Sequence, residues 1–254
     1  MSQCDPDSAA PLDASSLERL VPDRLDPNQS TGSETYRLHL ERYEFAAREA
    51  RPGRLLDLAC GAGYGTRLLA ERRSDLVELL GVDVDPAAVG YARLRYGAGL
   101  PQLRYEVGDA LAFEEGGGFD TIVSLETIEH LACAPAAFLA RLARLLRPEG
   151  VLVVSAPTTP SVDLNPHHRH DFSAQSFRAL FRSHGFRARA ELPQIQPVDV
   201  LALLRGSETR MAGVRPGLAS WYWKHPDALL RRGLATLRHG FANHYLTVAW
   251  ERSR

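Results

Sequence analysis

Lysine is almost missing from this chain: Lys224 is the single one in 254 residues, and arginine carries the remaining positive charge. The 30 basic side chains are matched by 31 acidic ones, so the formal net charge is −1 and no global field favours a polyanion. Nucleic acid is therefore not expected as a partner. Cysteine is scarce as well. Cys4, Cys60 and Cys133 are scattered, odd in number and without C-x-x-C spacing, which argues against a disulfide framework and a cysteine-zinc cluster. No apolar run approaches the about 20 residues a membrane span needs. The first thirty residues are polar and proline-rich, without the basic-then-apolar pattern of a signal peptide. A reducing cytoplasm and no membrane partner are the expectations.

What is present is one concentrated stretch, Leu55-Leu56-Asp57-Leu58-Ala59-Cys60-Gly61-Ala62-Gly63-Tyr64-Gly65-Thr66. It reads as a buried strand, a glycine turn and a helix start. The glycines allow backbone dihedrals barred to other residues and let a ligand lie on the main chain. Free amides at the helix start favour an anionic group. The spacing is G-x-G-x-G, where a dinucleotide fingerprint would be G-x-G-x-x-G. Asp57 stands four residues before the first glycine. A carboxylate there suits a ligand with an ammonium group and does nothing for a pyrophosphate.

The hydrophobic fraction of 44% supports a sizeable core, and the length suits one α/β domain with additions. Residues 1–32 are rich in Ser, Asp and Pro and are expected to form a mobile or loosely packed arm. Residues 33–254 form the domain, with 193–240 as a substrate-side insertion containing Trp221-Tyr222-Trp223. Strands are predicted at 54–59, 77–84, 103–107, 119–125, 151–156, 186–192 and 244–251. Helices are predicted at 33–50, 66–73, 135–147 and 173–184, and Asp85-Pro86 reads as the cap and first turn of another. This alternation predicts a doubly wound, seven-stranded, mostly parallel sheet with a helical insertion before the last strand. Ligands in such sheets bind beyond the carboxyl ends of the strands. Gly61, Asp83, Asp109 and Glu126 all fall there. Asp83 is twenty residues past Gly63, a spacing at which an acid accepts hydrogen bonds from ribose hydroxyls.

The ordered set LLDLACGAGYG, GVDVD, VGDA, FDTIVSLETIEHL and LLRPEGVLVVSAP resembles the class I S-adenosylmethionine (SAM) methyltransferases over residues 33–192 and the last strand. The resemblance implies that the last strand is antiparallel and inserted beside strand five. It implies that Asp57, Gly61 and Gly63 hold the methionine moiety, with Ala59 also in the cofactor site, Asp83 the ribose, Val84 the adenine face, and Asp109 with Ala110 the adenine edge. Leu125 would also line the cofactor pocket. Most of the first helix is expected to pack on the sheet edge, and Tyr36 or Tyr43 on it would cover the pocket. A nicotinamide dehydrogenase, or a protein of this fold without catalysis, would require several of these motifs to be accidental.

Glu126-Thr127-Ile128-Glu129-His130 is the sharpest local pattern. Read as helix, it puts Glu126, Glu129 and His130 on one face. Two carboxylates and an imidazole suit Mg²⁺, Mn²⁺, Fe²⁺ or Zn²⁺. The E-x-x-E-H pattern with a later H-x-F resembles the metal-dependent 2′-O-methyltransferases of small RNAs, and alone it resembles the methyltransferases of ubiquinone biosynthesis. Carried over, His170 of the loop His167-His168-Arg169-His170-Asp171-Phe172 would be the fourth ligand. Many metal-free enzymes of the fold also carry Glu-His-Leu here, with the histidine as base or packing residue. Two readings therefore stand side by side. One is metal-assisted transfer to a hydroxyl of a small molecule in specialised metabolism, with Glu129, His130 and His170 at the reacting centre. The other is metal-free N- or C-methylation with His130 or His170 as base. RNA 3′-end methylation is a third, disfavoured by the charge balance. A homodimer remains open.

Overall fold

The computed structural model describes residues 20–24, 30–198 and 217–253. Helix α1 (Ser30–Glu49) precedes β1 (Gly53–Leu58), α2 (Tyr64–Arg72), β2 (Leu76–Asp83), α3 (Pro86–Tyr96), β3 (Leu103–Val107) and β4 (Phe119–Ser124). Then follow α4 (Pro135–Leu145), β5 (Leu146–Pro157), α5 (Ala174–Ser183), β6 (Phe186–Pro197), α6 (Leu218–Lys224), α7 (Pro226–His239) and β7 (Ala242–Arg252). The seven strands form one sheet in the order β3-β2-β1-β4-β5-β7-β6. The first five are parallel, and β7 is antiparallel to both β5 and β6, as expected.

The central strands are apolar at successive positions because both faces of the sheet are covered. Adjacent side chains of a strand point to opposite faces. Leu56, Ile122, Leu152 and Trp250 accordingly pack with Phe138, Leu142, Phe177 and Phe181 of α4 and α5. Their neighbours Leu55, Val123, Val153 and Ala249 pack on the other side with Phe45, Leu69 and Val89 of α1, α2 and α3. The Trp250 indole stacks on Phe181 with centroids 4.4 Å apart and planes at 4°.

Several element boundaries differ from the sequence reading, and α1 already begins at Ser30, inside the expected arm. Strand β5 starts at Leu146, directly from α4, and Pro148-Glu149-Gly150 fall in the register shift between the pairings of Leu146 and Val151 with β4. Strand β6 continues to Pro197, because its pairing with β7 runs on to Ala242. It is an edge strand, where a proline's missing N–H is tolerated. The insertion is correspondingly shorter: α6 and α7 are helical, and 199–216 lie outside the described residues. Within the expected arm, residues 1–19 and 25–29 lie outside the described residues, but Leu20 and Val21 are buried. Val21 packs on Ala62 and Ala88, and Asp23 accepts hydrogen bonds from Tyr91 Oη and Arg95 Nε, each at 2.7 Å.

Candidate active site

The parallel strand tips assemble one crevice. At its centre the β1–α2 turn passes through Ala59 (φ 65°), Gly61 (φ 58°) and Gly63 (φ 83°). Its glycines serve different ends. A Cβ on Gly63 would lie 2.5 Å from Ala92 Cβ, and one on Gly65 would lie 2.0 Å from the Tyr43 ring; both glycines are packing positions. A Cβ on Gly61 would meet nothing within 4 Å, so the Cα side of this residue borders open space where a ligand can approach the backbone.

Asp57 is buried beneath the turn. Its Oδ2 accepts from Thr66 Oγ1 at 2.7 Å and Tyr43 Oη at 3.3 Å, while Oδ1 has no hydrogen-bond partner among the described residues. Burial pushes its carboxyl up to about 7, against the lowering effect of the two hydroxyls. Such an acid is suited to a cationic ligand group that restores its charge. Asp83, at the end of β2, accepts from Gly61 N through Oδ2 at 2.8 Å and from Asp85 N through Oδ1 at 3.0 Å. The cap of α3 is Asp85, which accepts from Ala87 N at 2.8 Å. Asp83 is thus a link between two turns. Val84 beside it is 66% exposed, an apolar surface for a flat ring. Asp109 accepts from Leu111 N at 2.8 Å and opens the turn that buries Ala110. Leu125 is buried at the tip of β4. From α1, Tyr36 and Tyr43 pack edge-on against Tyr64 at 5.5 and 6.0 Å, above the glycine turn.

The segment after β4 is a turn, not the helix the spacing suggested, and that separates its acids. Glu126 has a left-handed backbone (φ 49°). Its amide donates to Ser155 Oγ at 2.9 Å, its Oε1 accepts from the same hydroxyl at 2.7 Å, and its Oε2 lies 3.7 Å from the Arg42 guanidinium. Glu129 is buried; its Oε2 has no hydrogen-bond partner among the described residues, and its Oε1 lies 3.8 Å from His130 Nε2. Burial, reinforced by the charge of Glu126, raises its carboxyl above the ordinary range.

The loop after β5 is fastened to this turn by its backbone: Arg169 N and His170 N both donate to Glu129 O, at 2.7 and 3.1 Å. That pairing turns His168 inward, and its ring meets His130 edge-on at 4.5 Å. Glu129, His130 and His168 each offer one ligand atom, all within 4.8 Å of one another. His170, the histidine expected from H-x-F, instead directs Nε2 to the carbonyls of Leu131 and Cys133, at 3.0 and 2.9 Å. Sequence spacing could not choose among three neighbouring histidines in a loop whose register is set by long-range backbone bonds. In the insertion, Trp221 stacks on His225 at 4.3 Å, and Tyr222 Oη donates to Asp163.

Arg42 also went unnoticed in the sequence, where it is one arginine among many on an amphipathic helix. It is buried, donates to Gln194 Oε1 at 2.8 Å and lies over the Tyr245 ring at 4.5 Å. Its charge favours the ionised forms of both Tyr64 and Glu129.

Comparisons with known proteins point to one family. Residues 55–150 match the family described as "Methyltransferase domain". A protein of Mycolicibacterium smegmatis named "Probable S-adenosylmethionine-dependent methyltransferase" is 31% identical over 197 residues, 74% of this chain and 71% of that protein. A "Ubiquinone biosynthesis O-methyltransferase" of Xanthomonas campestris is 38% identical over 114 residues, 43% of this chain and 46% of its own length. In fold, the chain is similar to the N-methyltransferase NodS of Bradyrhizobium japonicum, solved with S-adenosyl-L-homocysteine; the TM-score is 0.58 at 16% identity, covering 90% of each chain. The chain belongs to the class I SAM-dependent methyltransferases.

Proposed function

We propose that this methyltransferase acts on a hydroxyl oxygen of a small-molecule acceptor, and that Glu129, His130 and His168 hold a divalent cation on the acceptor side of the crevice. The observation that carries the reading is the Glu129 carboxylate: fully buried, with one oxygen lacking a hydrogen-bond partner among the described residues, and grouped with two imidazoles inside 4.8 Å. An unsatisfied buried carboxylate oxygen is costly, and a cation at that point would offset the cost. One carboxylate and two imidazoles suit Zn²⁺, Fe²⁺ or Mn²⁺ better than Mg²⁺, which prefers oxygen ligands. Bound there, a cation would supply a lowered hydroxyl pKa and a fixed oxygen. The relative named for O-methylation in ubiquinone biosynthesis supports a hydroxyl acceptor.

SAM supplies a methyl already activated on a sulfonium. The chain's task is alignment and removal of a proton. Asp57 holds the ammonium beside the Gly61 amide, Asp83 accepts from the ribose hydroxyls, Val84 lies along the adenine, and Asp109 with Ala110 bounds its edge. Glu126 takes no ligand role in this reading; Ser155 and Arg42 occupy its carboxylate.

A second reading is favoured by one distance. His130 Nε2 lies 3.8 Å from Glu129 Oε1, so without a cation Glu129 would stabilise the imidazolium formed as His130 takes the proton. His170 suits that role less, since its Nε2 is committed to two carbonyls. Elemental analysis with turnover decides. Protein stripped with EDTA should lose activity, regain it with Zn²⁺, Fe²⁺ or Mn²⁺, and bind SAM throughout. Glu129→Gln should bind less metal at unchanged SAM affinity. Full turnover in metal-free protein would overturn the cation reading and leave His130 as base.

A further inference from the structure

Helix α7 is amphipathic in an inverted sense. Its buried side carries Ala228 and the partly buried Arg232, while Leu229, Leu230, Leu234 and Leu237 are all more than half exposed. At about 100° per residue these four fall on one arc, with Gly233 between them. Trp223, 89% exposed at the end of α6, and Phe241, 66% exposed just past α7, extend the apolar surface at both ends. A stripe of this kind ordinarily has a cover.

Its charge identifies the cover. Residues 217–241 hold Lys224, Arg231, Arg232 and Arg238 against one acid, Asp227, in a chain whose net charge is −1. Asp227 is taken by Arg231 at 2.7 Å, and Arg232 is drawn inward to Asp163 with Nε at 2.8 Å. Lys224 and Arg238 stay exposed at the two ends of the stripe. The chain's single lysine thus follows its most exposed tryptophan. Apolar anchors ringed by cations match an anionic lipid surface, where leucine and phenylalanine enter the acyl boundary, tryptophan sits at headgroup level and basic side chains meet phosphate. A second copy fits less well. Two such faces would oppose like charge, and one 14-residue helix offers little of the about 1,200–2,000 Å² that a specific interface buries. None of the described helices is long and apolar enough to cross a membrane, and a helix lying in the interface needs no span.

We propose that α6 and α7 form a docking surface for an anionic lipid bilayer, with Trp223, Leu230, Leu234, Leu237 and Phe241 as anchors and Lys224 and Arg238 as headgroup contacts. The surface joins the acceptor side directly: Tyr222 and Arg232 both bind Asp163, in the loop that also carries His168. Docking depends on these exposed side chains alone and stands apart from the metal reading.

The test is sedimentation of the full chain with vesicles of equimolar phosphatidylcholine and phosphatidylglycerol, against phosphatidylcholine alone. The wild type should sediment with the anionic vesicles, release at high salt, and show a blue-shifted tryptophan emission that Trp223→Phe removes. The double variant Leu230→Asp/Leu237→Asp changes only exposed positions. It should keep its thermal transition and SAM affinity and lose partitioning by on the order of a hundredfold. Three results would each overturn the proposal. The wild type could stay in the supernatant with anionic vesicles at low salt. Light scattering could show a lipid-free dimer that the double variant dissociates. Hydrogen exchange could find α7 equally protected with and without vesicles.

Discussion

Asp83 accepts a hydrogen bond from the Gly61 amide at 2.8 Å, so the acid ending β2 holds in place the glycine turn ending β1. The residue proposed to bind the ribose also shapes the surface proposed to lie under the methionine moiety. Asp83→Ala should therefore weaken SAM binding by roughly ten- to a hundredfold, the scale of a lost charge-assisted hydrogen bond. It should also lower the melting temperature of the ligand-free protein. Calorimetric titration and a thermal scan measure the two effects. An unchanged affinity would remove the ribose role.

The Asp57 carboxyl is raised from an ordinary 3.8 to about 7, mainly by burial. An acid with a raised folded pKa binds more protons in the folded state than in the unfolded state between those values. Stability from this group thus falls as pH rises from about 4 to about 7, by up to about 4 kcal/mol in total. Glu129 adds to the same slope. Thermal scans across that range should show the decline, flatter with saturating SAM, whose ammonium favours the ionised Asp57, and flatter in Asp57→Asn. A slope identical in Asp57→Asn and wild type would refute the assignment.

His168 and His170 should separate cleanly. His168→Ala removes a member of the cluster and should cut turnover about a hundredfold or more, with little change in melting temperature. His170→Ala removes a tie to two backbone carbonyls and should cost about 1–2 kcal/mol of stability. Any loss of turnover in His170→Ala should track the loss of fold. The reverse pattern, measured by kinetics and chemical denaturation, would restore the H-x-F histidine to the site.

The glycines divide in the same manner. Gly65→Ala drives a Cβ to 2.0 Å from the Tyr43 ring and should destabilise the protein by at least about 1–3 kcal/mol. Gly61→Ala meets nothing; it bears only the left-handed backbone cost of about 1–2 kcal/mol while placing a methyl in the ligand space. It should lose more SAM affinity than Gly65→Ala at a smaller fall in melting temperature, as calorimetry and thermal scans would register.

The parallel core was legible because each signal was local. Asp57, the glycine turn, Asp83 and Asp85-Pro86 lie within short stretches whose chemistry and geometry are coupled along the chain. The cluster was half legible. Glu129 and His130 were found in a pattern read with helical spacing, but the backbone turns sharply at Glu126 and sends its carboxylate to Ser155 and Arg42. Which histidine joins them depends on Glu129 O accepting from Arg169 N and His170 N across some forty positions of sequence. Arg42 acts through Gln194 and Tyr245, on strands far along the chain. Local periodicity carries no trace of such partners.

Asp163, almost wholly shielded from solvent, receives both Tyr222 and Arg232. The His168 loop and the two insertion helices are therefore riveted together and should be inherited as a unit. Transplanting α6 and α7 alone into a related enzyme would leave an aspartate stranded in one parent and an arginine in the other. Grafts intended to alter acceptor choice need to carry residues 158–172 along with 217–241.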